Sequence, residues 1–301
     1  MAREVVWHPP AHTGVEPLVL TDQAAGLRIE KGSRGLGLVQ FETVQDDSPW
    51  SDGSTVEDVY ALPRQPMLPM MVWGADRAEF LSRLRTLSAA LVPRDGGGRA
   101  VPGELELAQH DGRRFRLQAH YLGGLPDEET TDLGGDTNWC RFQLQLLAPD
   151  PFWYAPEPTV LSWTFADPVP FLGNPFLPLR ISPSQTIGDV AILNPGTAPA
   201  LGMWRITGPG NNVVLANLDS GEQIQITGTI PDGEQLVVVT DPLAPSITLQ
   251  PSGVDWWDKV ADGPVLWAIP PGTTSASLTL SGAASGSRVV LEFRPRFGAP
   301  W

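Results

Sequence analysis

Few residues in this 301-residue chain could do chemistry, and their spacing argues against most of it. The histidines are His8, His12, His110 and His120. His8 and His12 have the i, i+4 spacing of a helical metal-binding pair, but Pro9 and Pro10 lie between them, so no helix can present both rings on one face. Cys140 is the only cysteine, which excludes an internal disulfide and a multi-cysteine zinc site. It could act as a nucleophile only beside a positioned histidine, and on an alternating stretch it reads as a small core residue. Asp127-Glu128-Glu129 reads as a solvated turn rather than an acid/base pair. Gly32, Gly35 and Gly37 lack the dinucleotide-binding spacing and no helix follows them, so they read as turn and bulge chemistry. No G-x-S-x-G elbow, P-loop or H-E-x-x-H is present. Trp256 and Trp257 are adjacent. On an exposed loop they could stack on sugar rings, but as large apolar groups they fit a core or a subunit contact better. No catalytic, cofactor-binding or metal-binding residue is therefore expected.

Composition narrows the class. A chain of this length accommodates two domains, and 42% hydrophobic residues can fill two cores. With 31 prolines and 31 glycines, many turns and few long helices are expected. The net charge of −14 argues against a protein that grips phosphate backbones through clustered bases. No apolar run reaches membrane-spanning length, and MAREVVWHPP lacks the apolar stretch of a signal peptide. The expectation is a soluble chain made in a cytoplasm, with no membrane insertion.

The elements follow from periodicity. Residues 3–7, 18–20, 27–29 and 38–44 are strand candidates, and 46–58 reads as an acidic loop. Residues 65–73, QPMLPMMVW, are apolar but interrupted by Pro66 and Pro69, which suggests an edge strand. One convincing helix follows: Asp76 can cap it, Glu79 completes a capping-box-like pair, and Phe80, Leu81, Leu84, Leu87, Ser88 and Leu91 share a face. Pro93 and Gly96-Gly97-Gly98 stop it. This face reads as packing on a sheet rather than as a docking helix. Residues 104–109 and 113–121 alternate around Asp111-Gly112 as a long hairpin, and 139–147 alternate again.

The stretch 144–158, LQLLAPDPFWYAPEP, divides the chain. Its prolines stop regular pairing, and its three aromatics need a surface to cover, so it reads as a packed hinge. Beyond it, short strand candidates at 161–165, 176–181, 189–193, 202–207, 213–215, 223–227, 234–240, 278–280 and 288–293 alternate with turn signals. That spacing predicts a β-sandwich or jelly roll. The predicted organisation is a helix-bearing β domain over 1–155 and an all-β domain over 156–301.

The order of these pieces resembles the distal tail proteins of long-tailed, siphovirus-type bacteriophages. The pieces are RQPMLPMMVWGADRAEFLSRLRTLSAALVP, GELELAQHDGRRFRLQAHYLGGL and WCRFQLQLLAPDPFWY in the first module. In the second they are NPGTAPALGMWRITGPGNNVVLAN, GEQIQITG, GEQLVVVTDP and LWAIPPGTTSASLTLSGAASGSRVVLEFRPRFGAPW. The resemblance covers the chain from about Arg64 to Trp301. It implies a mainly β protein, with a tail-tube-like β-sandwich carrying one helix and a long hairpin, then a galectin-like sandwich. It also implies a structural, non-enzymatic virion protein: a hexameric ring at the tail tip. Such a ring joins the tail-tube protein to the hub or receptor-binding proteins of the baseplate and passes genomic DNA through its lumen without binding it specifically. No inserted domain of the kind that carries sugar-binding modules in enlarged members is present. Two other readings stay open: a carbohydrate-binding adhesin using Trp256 and Trp257, and a glycan-degrading enzyme with an accessory sandwich.

Overall fold

The computed structural model describes residues 3–47, 52–126, 137–164, 186–261 and 266–301. The protein is mainly antiparallel β and carries one α-helix among the described residues. It divides into two compact units, Met1–Pro156 with Phe297–Trp301, and Glu157–Arg296. The last five residues thus belong with the first unit, although the chain reaches them only after the second.

In the first unit the strands are β1 (Glu4–His8), β2 (Leu18–Val19), β3 (Leu27–Ile29), β4 (Phe41–Asp46), β5 (Thr55–Ala61), β6 (Met67–Trp73), β7 (Gly103–Ala108), β8 (Arg114–Gly123), β9 (Trp139–Leu147) and β10 (Trp153–Tyr154). The sheet runs β2-β1-β7-β8-β9-β6-β3, with β10 paired onto β8. Alternation sets its inner face: Leu105 and Leu107 of β7, Phe115, Leu117 and Ala119 of β8, and Cys140, Leu144 and Leu146 of β9 are all buried. Residues from both ends of the path share one core with Trp7, Trp153 and the helix, so the sheet is bent over that core.

The helix, α1 (Arg77–Ala90), begins as its capping residues require. The Asp76 carboxylate accepts the Glu79 backbone N–H at 2.8 Å, and Glu79 reaches back to the Ala75 N–H at 2.6 Å. Its buried face is Phe80, Leu87 and Ala90, with Leu81 and Leu84 half-buried and Ser88 exposed. Gly74 lets it approach β6, since a Cβ there would lie 2.4 Å from the Phe80 nitrogen.

β6 is not an edge strand: it pairs with β9 on one side and β3 on the other. Pro69 is tolerated because its ring nitrogen faces β3, which ends opposite Met70, while its carbonyl still accepts from the Glu30 N–H at 2.7 Å. Residues 46–58 are not simply a loop. Their ends extend β4 and belong to β5, which pair from Phe41↔Ala61 to Asp46↔Thr55 with an irregularity after Val44.

The second unit holds β11 (Thr159–Thr164), β12 (Thr186–Asn194), β13 (Gly202–Thr207), β14 (Gly210–Asn217), β15 (Gln223–Ile230), β16 (Gln235–Val239), β17 (Ser246–Gln250), β18 (Val254–Asp255), β19 (Gly272–Ser281) and β20 (Arg288–Phe293). Two sheets form, β11-β20-β13-β16-β17-β18 and β12-β19-β14-β15. Trp204, Ile206, Leu236 and Leu291 from the first share a core with Ile192, Leu215, Ile224 and Leu278 from the second, which makes a β-sandwich. Trp204 lies between Trp163 and Trp267, with ring centroids 6.4 and 5.6 Å away. The chain crosses between sheets at residues 208–210, where a Cβ on Gly208 would meet the Pro231 carbonyl at 2.2 Å. The strand candidate at 176–181 lies outside the described residues.

Candidate assembly surface

The largest exposed apolar feature of the first unit is the ribbon made by β4 and β5. It pairs with no other strand among the described residues. Strands of six and seven residues reach roughly 20 Å. The register puts Phe41, Val59 and, beyond the irregularity, Val56 (opposite Gln45) on one side and Val44 and Tyr60 on the other. All five are exposed, from 43% for Val44 to 52% for Phe41. Local bonds tie the ribbon together, including Tyr60 Oη to the Glu42 carboxylate at 2.8 Å and Ser54 Oγ to Gln45 at 2.9 Å. An isolated two-stranded ribbon with apolar groups on both faces is marginal in water, so a surface covering it would stabilise it.

At the ribbon's root lies a cavity of about 630 Å³, lined by Arg34, Leu38, Leu62, Arg64 and Met67 among others. Arg64 is its anchor. The guanidinium is buried and donates to the carbonyls of Pro151 (2.9 Å), Gly35 (3.0 Å), Gly37 (2.6 Å) and Gly298 (3.0 Å). It also lies 5.7 Å from the Trp153 ring centroid. Burial lowers its pKa to about 10, so it stays charged at neutral pH. One side chain therefore fixes the ribbon's lead-in loop, the segment before β10 and the C-terminal segment. Close by, Leu38 is 68% and Trp301 63% exposed. The Gly37 and Gly298 backbones lie against Trp301 and Leu38 respectively.

The face of β1, β7 and β8 away from the core carries an ionic layer. Glu106 is buried and accepts from Arg114, from Arg116 Nε at 2.7 Å, and pairs with His8 Nε2 at 3.2 Å. Arg116 also holds Glu104 at 3.1 Å, and Arg114 holds Glu4 at 3.4 Å. Burial pushes the Glu106 carboxyl up, but the hydrogen bonds from Arg116 and Arg114 outweigh it and leave the pKa below its ordinary value.

The residues singled out by chemistry are dispersed. His8 belongs to the ionic layer, while His12 lies exposed on a 3-10 turn, Ala11–Thr13. Cys140 is buried in the first core. Asp127-Glu128-Glu129 lies outside the described residues. The tryptophan pair is split. Trp256 is 2% exposed and part of the second core, with Lys259 Nζ 3.8 Å from its ring centroid, whereas Trp257 is 40% exposed. The two rings therefore cannot form one exposed sugar platform. Sequence reasoning missed both the ribbon and Arg64. The signal for the ribbon was present: FETV and TVEDVYA are β-forming runs around the turn-rich 47–54.

No family model matches the sequence, and no curated protein resembles it in sequence. Solved structures do resemble its fold. The crystal structure of SPP1 Dit (gp 19.1), described as a paradigm of the hub adsorption apparatus in phages infecting Gram-positive bacteria, superposes with a TM-score of 0.64 at 13% identity. That match covers 99% of this chain and 100% of the other. Two structures of the phage P2 baseplate in its activated conformation, with Ca and with Sr, each give a TM-score of 0.53 at 11% identity over 98% of both chains. The likeness is one of fold, and it spans both units.

Proposed function

We propose that this chain is a structural protein of a phage tail tip, one that forms a closed ring joining the tail tube to the hub or receptor-binding proteins. The observation that carries this reading is the β4–β5 ribbon, an element that exposes apolar residues on both faces and needs another chain to cover it. The whole-chain fold likeness to a Dit hub protein supports reading the ribbon as part of a tail-tip assembly. Rings with cyclic symmetry use heterologous contacts, one patch against a different patch on the neighbour. A hexamer is the ring size that the resemblance implies. The net charge of −14 suits passage of DNA through the lumen, because like charge keeps phosphate from binding. In this reading the first unit makes the ring and the second faces the tip machinery, and neither carries out catalysis.

Electron microscopy of virions labelled with antibody against this chain tests the placement. Label confined to the tail end far from the capsid is expected. Label on the capsid, or none on intact virions, contradicts it. The adhesin reading loses its two-ring platform because Trp256 is buried.

A further inference from the structure

The direction in which the ribbon projects is set outside the ribbon. β4 and β5 pair only with each other among the described residues, so the limbs that enter and leave them fix the ribbon on its unit. The leaving limb is tied to the chain just after β9: the Arg64 backbone exchanges hydrogen bonds with Ala148 at 2.9 and 2.8 Å. The entering limb, residues 35–40, is held by the C-terminal segment. The Val39 N–H donates to the Gly298 carbonyl at 3.0 Å. Arg64 Nη2 donates to the same oxygen at 3.0 Å, while its Nη1 holds the Gly35 and Gly37 carbonyls. Val39 is buried, its side chain and that of Leu38 lie over Gly298, and the Trp301 ring lies against Gly37. The segment is itself pinned to the sheet. The Pro300 carbonyl accepts from Arg3 Nη2 at 3.1 Å and from the Gln109 amide, and Phe297 meets Phe115 edge-on. The lever is long: turning a ribbon of about 20 Å by about 15° at this limb carries its tip roughly 5 Å, one strand spacing.

We propose that residues 297–301 act as a positioning clasp: they hold the entering limb through Gly298 and so set the direction of the ribbon. The clasp belongs to the first unit but follows the second in the chain. Domains fold as units during synthesis, the N-terminal one first. A first unit without its clasp carries a paired ribbon whose direction is not fixed. It gains that direction only when the chain has passed through the second unit and returned. The clasp thereby delays assembly until both units have been made. That consequence rests on the ring reading, whereas the positioning is a property of the single chain and is measured there.

Hydrogen exchange and light scattering on the full-length chain, beside the same chain lacking residues 297–301, test it. Removing the segment should speed exchange of the amides of residues 36–40 by about tenfold or more beyond any change in β7 and β8. The concentration at which the shortened chain assembles should also rise by about tenfold or more, since its ribbon is no longer preorganised. Trp301→Ala alters an exposed side chain and keeps the Gly298 carbonyl, so it tests the limb without threatening the fold. It should speed exchange at Gly37 and Leu38 by about threefold. Limb amides that exchange no faster than those of β7 and β8 in both variants would overturn the inference. So would a shortened chain that has a loosened limb and still assembles at the unmodified concentration. Failure of the unmodified chain to assemble at any concentration would instead remove the ring reading, and the exchange rates would still decide the positioning.

Discussion

At the scale of single residues, two buried charges tie separate segments of the first unit together, and they do so differently. Arg64 has its donors matched to four backbone carbonyls. Arg64→Met keeps much of the volume but removes the guanidinium donor from the Pro151, Gly35 and Gly37 carbonyls, while Gly298 still accepts the Val39 N–H at 3.0 Å. At about 1–3 kcal/mol per buried group left unsatisfied, a loss of roughly 3 kcal/mol or more is expected. It should read as faster native-state hydrogen exchange in β6 and β9, with the second unit unaffected. Unchanged exchange there would show that Arg64 holds nothing. Glu106 gives a pH signature. Its carboxyl has a lower pKa folded than the ordinary 4.5, so it stabilises the fold above about pH 4.5, and that contribution fades as pH falls through the folded value. Glu106→Gln should therefore be less stable at neutral pH and lose less on acidification. Parallel stability curves for the two proteins would contradict this. Neither role was legible in the sequence. Nothing around Arg64 distinguishes it from the many surface arginines, because its partners are backbone carbonyls far along the chain. Glu106 lies on the polar side of an alternating strand, and only the cross-strand register brings Arg114 and Arg116 to it.

At the scale of elements, what could be read depended on whether the signal was local. The α1 cap, the hairpin around Asp111-Gly112 and the alternation of β9 are written in adjacent residues, and the structure contains all three. The position of β6 in its sheet was not legible, because prolines report missing donors and not which side of a strand they face. β17 was missed because SITLQ lies between Pro245 and Pro251 and reads as part of a turn. The C-terminal segment is the most consequential non-local element. Phe297 meets Phe115 edge-on at 5.1 Å, and the carbonyls of Gly298 and Pro300 accept from Arg64 and Arg3. A chain ending at Pro156 loses all of these contacts. Such a chain should unfold at lower denaturant than one in which residues 157–296 are replaced by a short flexible linker that keeps the C-terminal segment. Equal midpoints would mean that the segment contributes nothing to the first unit.

At the scale of the whole molecule, the two units divide their chemistry. The second buries Trp204, Trp256, Trp267 and Phe293 in its sandwich core, and the first leaves an acidic, apolar ribbon exposed. In the proposed reading assembly belongs to the first unit, and the fold is like that of a phage hub protein. The absence of a catalytic motif and the acidic balance were legible from the sequence, because composition and motif spacing carry them. The ribbon proposed as the assembly surface was not, because a ribbon and a loop differ only in pairing. The most direct measurement is electron microscopy with mass determination on the purified full-length chain, beside the same chain with residues 42–60 replaced by a tight turn. The account predicts closed six-fold rings for the first and folded monomers for the second. Monomers for the full-length chain at every concentration, or rings that persist without the ribbon, would contradict it.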